Sequence, residues 1–422
     1  MRKILYARKS THPQHLLYTL LFVLTLAAAC RKAEFQQPLH GEPVPYNDTA
    51  RYDLKSLLGM SSHKLFNAAW QKSNLNALLA QEGNGMRFTI LAPDDAAMTA
   101  AGYTSEAIAA APASALDSML AFHVLPEYLD TAVLRGQKGS VRRKTILHHN
   151  MLLEEAVSPG SSVPAMQPYT YKQFIALAAD GGLLINGKNT GKHTPMYATN
   201  GIIWPVNQLL QRPVESVIDF LRRDPRFTIF TALIQLTNEV WEMESMGYFP
   251  RTSYNDLGLV DGLTVRSSAF FAPTDAAFQK AGFNSAADLM TLNARSMPYL
   301  DWDYFQMVNG FVTDSLLAYH NWGRMYTPTE PSYGGGTPAA AMFYSNDLDN
   351  RIIGNFELTS SGGGRVPPYP MTLDFGNSGG RITVKVKGSN RPAAAIEEAD
   401  INTFQGPVHV VDNLILSDKV KY

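Results

Sequence analysis

The sequence predicts a mixed α and β protein built from two copies of one unit. Three observations predict it. An apolar run that stops at a proline and opens at once into an Asp-Ala-Ala helix start occurs twice, at Phe88–Met98 and Ala269–Phe278, with Pro93 and Pro273 180 positions apart. A closing element, Asn200-Gly201-Ile202-Ile203-Trp204-Pro205-Val206, returns as Gln405-Gly406-Pro407-Val408-His409-Val410-Val411 at an offset of 205. The chain has 422 residues, 45% hydrophobic and 17% charged, the balance of a globular protein of two or three domains.

The chain begins with an address. Arg2, Lys3, Arg8 and Lys9 precede an apolar run from Leu16 to Ala29. That run is shorter than the roughly 20 residues a membrane-spanning helix needs, and it describes a secretory signal over 1–29. Its end, Leu26-Ala27-Ala28-Ala29-Cys30, resembles the lipobox of bacterial lipoproteins, although Leu26 stands one place earlier than usual. Cys30, the single cysteine, is the expected lipidation site, and acyl chains contribute about 0.8 kcal/mol per buried methylene to anchoring. The polar, proline-containing stretch that follows completes a linker over 30–52.

Each strand-to-helix junction has a local physical reading. Proline ends the strand, and Asp94 or Thr274 supplies a side-chain oxygen to cap the following helix. Asp95 and Asp275 fall in the first helical turn, where the dipole favours acid. These residues are expected to cap, not to catalyse. Between the repeated ends, Phe122–Leu134 aligns with Phe305–Leu317 at an offset of 183, which places Gln306 opposite His123. The offset then grows to 205, so about 22 residues enter the second copy there. Near the start, Leu65 matches Val217 at an offset of 152, which puts a further insertion of about 28 residues before Pro273. The expected insertions lie near 239–264 and 326–380.

These blocks resemble the hallmark segments of the fasciclin-like domain family. Pro93-Asp94-Asp95-Ala96-Ala97 and Pro273-Thr274-Asp275-Ala276-Ala277 match its first segment, and Leu120-Ala121-Phe122-His123-Val124 its helix-to-strand segment. Gly182–Gly187 with Ala198–Ile203, Asn200 and Gly201 included, match its closing hairpin, as do Ala399-Asp400-Ile401 and Val408-His409-Val410 in the second copy. The resemblance implies two fasciclin-like domains, 53–213 and 214–422, each a twisted, wedge-like β-sandwich with packed helices (an α+β fold). It also implies adhesion to surface proteins or polysaccharide. The Tyr-His pair that some members use for adhesion has one counterpart, Tyr319-His320, which falls after the matched block.

Other functional classes find little support. The net charge of -1 lacks the basic excess of a nucleic-acid binder, and Arg142-Arg143-Lys144 and Arg222-Arg223 read as solvated surface. One cysteine excludes an intrachain disulfide and a Cys-rich metal site. His148-His149 has no third ligand nearby in sequence, and Glu154-Glu155 and Asp301 with Asp303 read as surface acids. Gly334-Gly335-Gly336 and Gly362-Gly363-Gly364 lack the Lys-Ser/Thr of a phosphate loop and read as turns. No cofactor, metal or enzymatic activity is expected.

One region stands out. Between Tyr299 and Tyr344 lie Tyr299, Trp302, Tyr304, Trp322, Tyr326 and Tyr333, interleaved with Asp, Asn and Pro. Tyr304 reads as core within its aligned block. Trp302, Tyr319, His320, Trp322 and Tyr326 form the expected binding surface, with Trp322 and Tyr326 as its anchors, since large rings give contact area at little entropic cost. The sequence therefore reads as an exported protein, lipid-anchored at a bacterial outer membrane, that adheres to surface proteins or glycans. The alternative is an accessory component of an outer-membrane nutrient-uptake assembly.

Overall fold

The computed structural model describes residues 50–422, apart from 84, 138, 157–164, 193, 250, 252–256, 260–261, 266–268, 323–325, 329–341, 354–355, 359–368 and 371. Cys30, the glycine triplets and much of the expected insertion near 326–380 lie outside the described residues, as do the side chains of Glu155, Trp322 and Tyr326. Ala50–Tyr422 forms one compact unit. Among the described residues no helix is long and apolar enough to cross a membrane.

The first copy is a two-sheet wedge. Phe88–Pro93 is buried along its whole length, so both of its faces must be covered. It lies parallel to Gly201–Val206 and antiparallel to Val124–Leu125, and Met196–Ala198 completes this sheet. A parallel pairing needs a crossover, and the helices Asp95–Ala100, Ser105–Ala110 and Ala113–Phe122 begin it. The second sheet is a long hairpin of Val141–Ala156 and Ala165–Leu177, extended by Leu183–Ile185 and Lys188–Asn189. The last two strands are joined by Asn186-Gly187, with φ of 50° and 79°. Two left-handed residues in a two-residue loop are what the right-handed twist of a hairpin favours. Ile90 and Ile203 from one sheet and Ile146, Tyr171 and Ile175 from the other share one core, together with Leu58, Phe66 and Trp70 from the leading helices.

The second copy repeats this plan on a single bent sheet. Its strand order is Asn321–Trp322, Ala269–Pro273, Pro407–Val411, Ala394–Asn402, Arg381–Val386, Leu373–Ser378. Ala394–Asn402 carries register shifts between Ile396 and Ile401 and pairs with both halves, so it forms the corner that replaces the open edge of a sandwich. Side chains alternate across this sheet with period two. Phe270, Ala272, Val408 and Val410 face the core under the helices Val217–Arg223, Thr228–Ser245 and Ala286–Asn293. Phe271 and Val411 face the other core with Val384, Phe375 and Ile396.

The two copies are in contact. Leu153-Glu154 pairs in parallel with Thr264-Val265, so a segment of the second copy extends a sheet of the first. The Tyr169 hydroxyl donates to the Phe404 carbonyl at 3.0 Å, and Phe404 packs against Tyr169 and Tyr171. Phe174 meets Tyr344 with ring centroids 5.0 Å apart. The Ser140 N–H donates to the Asp347 carboxylate at 2.9 Å, and burial pushes that carboxyl up to about 6.

Candidate functional site

The repeated motif is structural in both copies, and its second acid has a role the sequence reading did not assign. Asp94 accepts from Ala97 N–H at 2.7 Å, and Thr274 accepts from Ala277 N–H at 3.2 Å, as helix caps. Asp95 instead accepts from Leu65 N–H at 2.8 Å, at the start of the helix Lys64–Lys72. Asp275 accepts from Thr228 N–H, the Thr228 hydroxyl and Ile229 N–H, at the start of the helix Thr228–Ser245. Neither of those helices has a side-chain cap of its own. The motif therefore caps two helices at once and ties the leading helix to the sheet.

Bond-for-bond equivalence corrects two alignments. Leu54 N–H donates to the Asn200 side-chain oxygen, and Val217 N–H donates to that of Gln405. Val217 is thus the counterpart of Leu54, not of Leu65, and the earlier match slipped by one helix. His123 lies wholly buried, its Nδ1 bonded to the Met119 carbonyl at 2.8 Å while Nε2 accepts from Leu210 N–H at 3.0 Å. In the second copy His320 takes this place: its Nε2 accepts from Ile415 N–H at 3.1 Å. The carbonyls match as well, with Leu91 N–H donating to His123 and Phe271 N–H donating to His320. His320 is therefore a core histidine, not a binding residue, and Gln306 is not the counterpart of His123. Leu120-Ala121-Phe122-His123 against Leu317-Ala318-Tyr319-His320 carried the signal. The chance match of Phe122 to Phe305 concealed it. Burial holds the His123 imidazole down to about 4 and that of His320 down to about 3. His409, also buried, bonds the Phe343 carbonyl through Nε2 at 2.8 Å and stacks on Phe271.

The other candidates settle similarly. The His148 Nδ1 is 2.9 Å from the Thr170 hydroxyl, and the His149 Nδ1 accepts from the backbone N–H groups of Met151 and Leu152. Among the described residues no group of His, Cys, Asp and Glu is disposed to hold a metal. Glu154 is not a surface acid; it is buried and ion-paired with Lys172. Burial lowers the Lys172 ammonium to about 8 even with that partner. Asp301 accepts from Asp303 and Tyr304 N–H groups and stabilises a turn. Tyr319 is half-buried against the second core of its copy.

The exposed feature that stands out is a face of aromatic rings in the second copy. Trp302 is 57% exposed, Tyr304 77%, Tyr248 57% and Phe305 51%. Tyr304 is thus at the surface, not in the core. Tyr248 meets Trp302 and Phe305 at centroid distances of 6.2 and 5.4 Å, and Phe249 meets Phe305 at 5.2 Å. Two additions build it. The helix Thr228–Ser245 has 18 residues where its counterpart Lys64–Lys72 has 9. It ends in left-handed Met246, and the Trp241 indole donates to the Phe249 carbonyl at 2.8 Å, turning the chain back. The second addition is the hairpin Tyr299–Asp301 with Gln306–Val308, between Ala286–Asn293 and Val312–Leu317. In the first copy only Ala111 and Pro112 separate the corresponding helices.

Comparison with known proteins agrees with the first copy's architecture. Residues 61–212 match the family model described as Fasciclin domain. Among solved structures, the chain is similar to a FAS1 domain pair from the insect cell adhesion molecule fasciclin I, at 15% identity and a TM-score of 0.31, over 85% of this chain and 98% of that one. No curated protein matches the chain. The family match falls on the first copy, and the paired hydrogen bonds described above set the second copy beside it.

Proposed function

We propose that this is an exported surface protein, lipid-anchored through Cys30 at a bacterial outer membrane, that adheres through its second copy to a cell-surface glycan or protein. The observation that carries this reading is the aromatic face of Tyr248, Trp302, Tyr304 and Phe305. Contiguous exposed apolar surface marks interaction sites, and Trp and Tyr dominate the energetics of such contacts. Both additions that form the face belong to the second copy, while the framework around them is shared, which is where specificity is expected to diverge. Fasciclin domains are adhesion-type domains, and the match over residues 61–212 supports that class of role.

Two experiments test the reading. Beads coated with the protein should attach to cells of the native habitat or to polysaccharide films, and Trp302→Ala with Tyr304→Ala should reduce attachment at least tenfold at unchanged melting temperature. Attachment that survives this double substitution would move the contact surface elsewhere. Separately, Cys30→Ala should shift the protein from the membrane fraction to the soluble exported fraction; retention in the membrane would rule out the lipid anchor.

A further inference from the structure

We propose that the cleft between the two copies binds a small carboxylated, hydroxyl-rich ligand of the uronic-acid class. The cleft has a volume of about 580 Å³, within the roughly 300–1,000 Å³ of small-molecule sites, which favour junctions between domains. One wall comes from the first copy, through the turn at Asn186–Lys188 and the segment Asn207–Arg212. The other comes from the second copy, through Glu398–Asn402. Neither copy has this site alone.

The charges in the cleft are unevenly satisfied. Its two acids are already engaged: Glu398 accepts from Arg226 at 2.9 Å, and Asp400 accepts from the Ser345 N–H at 2.7 Å and from the Ser345 hydroxyl. Its two bases are not matched in this way. Among the described residues neither Lys188 nor Arg212 has a carboxylate partner; the Arg212 guanidinium lies 6.0 Å from the Tyr171 ring centroid and meets only the neutral Tyr171 hydroxyl. The side-chain amides of Asn207, Gln208 and Gln211 likewise make no hydrogen bond within the protein among the described residues. With Arg226 counted against Glu398, three bases (Lys188, Arg212 and Arg226) stand against two acids (Glu398 and Asp400) around the cleft, which leaves it a positive excess of one beside a set of groups that both donate and accept. The positive charge calls for an anion. The amide carbonyls call for several donors, which sulfate or a bare carboxylate lacks, which hydrogen phosphate supplies one or two at a time, and which a sugar's hydroxyls supply together.

The backbone around the cleft is irregular in the second-copy wall. Asp400, which is not glycine, has φ of 62°, and the turn Asn186-Gly187 faces it. Asp400 follows the register shifts of the corner strand Ala394–Asn402. A side chain at Gly187 would place its Cβ 2.2 Å from the Asp400 carboxylate, so glycine there lets the two walls meet. Bulges and left-handed residues concentrate beside binding sites, where the surrounding structure holds them in place. Here the walls are tied: Asn402 Nδ2 donates to the Gln211 carbonyl at 3.4 Å, beside the Tyr169–Phe404 bond. The cleft is therefore formed before any ligand arrives, which lowers the entropic cost of binding.

Isothermal titration of the full chain with galacturonate, galactose and inorganic phosphate tests the proposal. Galacturonate should bind at least tenfold more tightly than either of the others. Lys188→Gln and Arg212→Gln should each bring it down at least tenfold. Lys188 sits on an exposed turn, so its variant remains informative if Arg212→Gln folds poorly. Galactose binding as tightly as galacturonate would overturn charge recognition. Phosphate binding as tightly would reduce the site to a bare anion site. Undiminished galacturonate binding by a folded Lys188→Gln variant would also overturn the assignment.

Discussion

The two copies share a set of buried ties between strands and helices and part company where they meet solvent. His123 and His320 tie the same strands through Nε2 and the backbone carbonyl, and Asn200 and Gln405 receive equivalent helix N-termini. Around this common frame the second copy lengthens one helix from 9 to 18 residues and adds a hairpin, and both additions end in exposed rings. The shared hydrogen bonds keep the frame the same in both copies, while extra chain enters at helix ends and loops, where closure entropy rises only about 0.6 kcal/mol per doubling of length.

The largest expected effect concerns buried charge. Glu154 and Lys172 are about 10% and 8% exposed at their side chains, so Glu154→Leu leaves an ammonium buried without its partner. Loss of roughly 3–5 kcal/mol is expected, read by denaturant unfolding. A pair of the second copy at a different place in the fold, Arg251 with Asp314, keeps its carboxylate 26% exposed, and Asp314→Leu should cost less. Equal losses would break the comparison.

Acid titration comes next. Burial depresses His123 and His320 below the ordinary imidazole value of 6.5, so the unfolded chain binds more protons than the folded one as pH falls through 6.5. Each histidine's contribution is present above pH 6.5 and is lost below it by up to about 1.4 kcal/mol per pH unit. The loss continues to about pH 4 for His123 and to about 3 for His320. Asp347, raised to about 6, works in the opposite sense: its contribution is full below 3.8 and is lost as pH rises through 6. Melting temperatures between pH 7 and 4 should fall, and fall less steeply than the two histidines alone would give. A rise on acidification would contradict the buried neutral imidazoles.

Smaller effects sharpen the comparison. Asp275→Ala removes three hydrogen bonds to a helix start and Asp95→Ala removes one, so losses of about 2 and about 1 kcal/mol are expected, in that order. Trp302→Ala, at an exposed turn, should change stability by less than about 0.5 kcal/mol while reducing attachment.

Much of the frame was legible in sequence because strand, proline and cap sit within ten residues of one another and obey local rules. Asp94 and Thr274 cap as their types dictate. The acids at Asp95 and Asp275 read only halfway: their position in a first turn is local, but the helices they serve begin 30 and 46–47 residues earlier in the chain. His320 was misplaced because the inserted hairpin shifts the register, and a single aligned phenylalanine outweighed a four-residue match. Tyr304 and Tyr319 show the limit of reading aromatics. Ring composition marks a region but not a face, and Tyr304 points out of a turn while Tyr319 packs inward. The cleft was invisible in sequence, since its walls come from turns about 200 residues apart.

The most direct measurement of the central claim is a hydrogen-exchange footprint of the full chain with and without native cell-surface material. The account predicts slowed exchange confined to 241–249 and 297–308, with the matching helix ends of the first copy, 72–75 and 111–113, unchanged. Protection centred on the first copy, or none on either segment of the second while attachment persists, would contradict it.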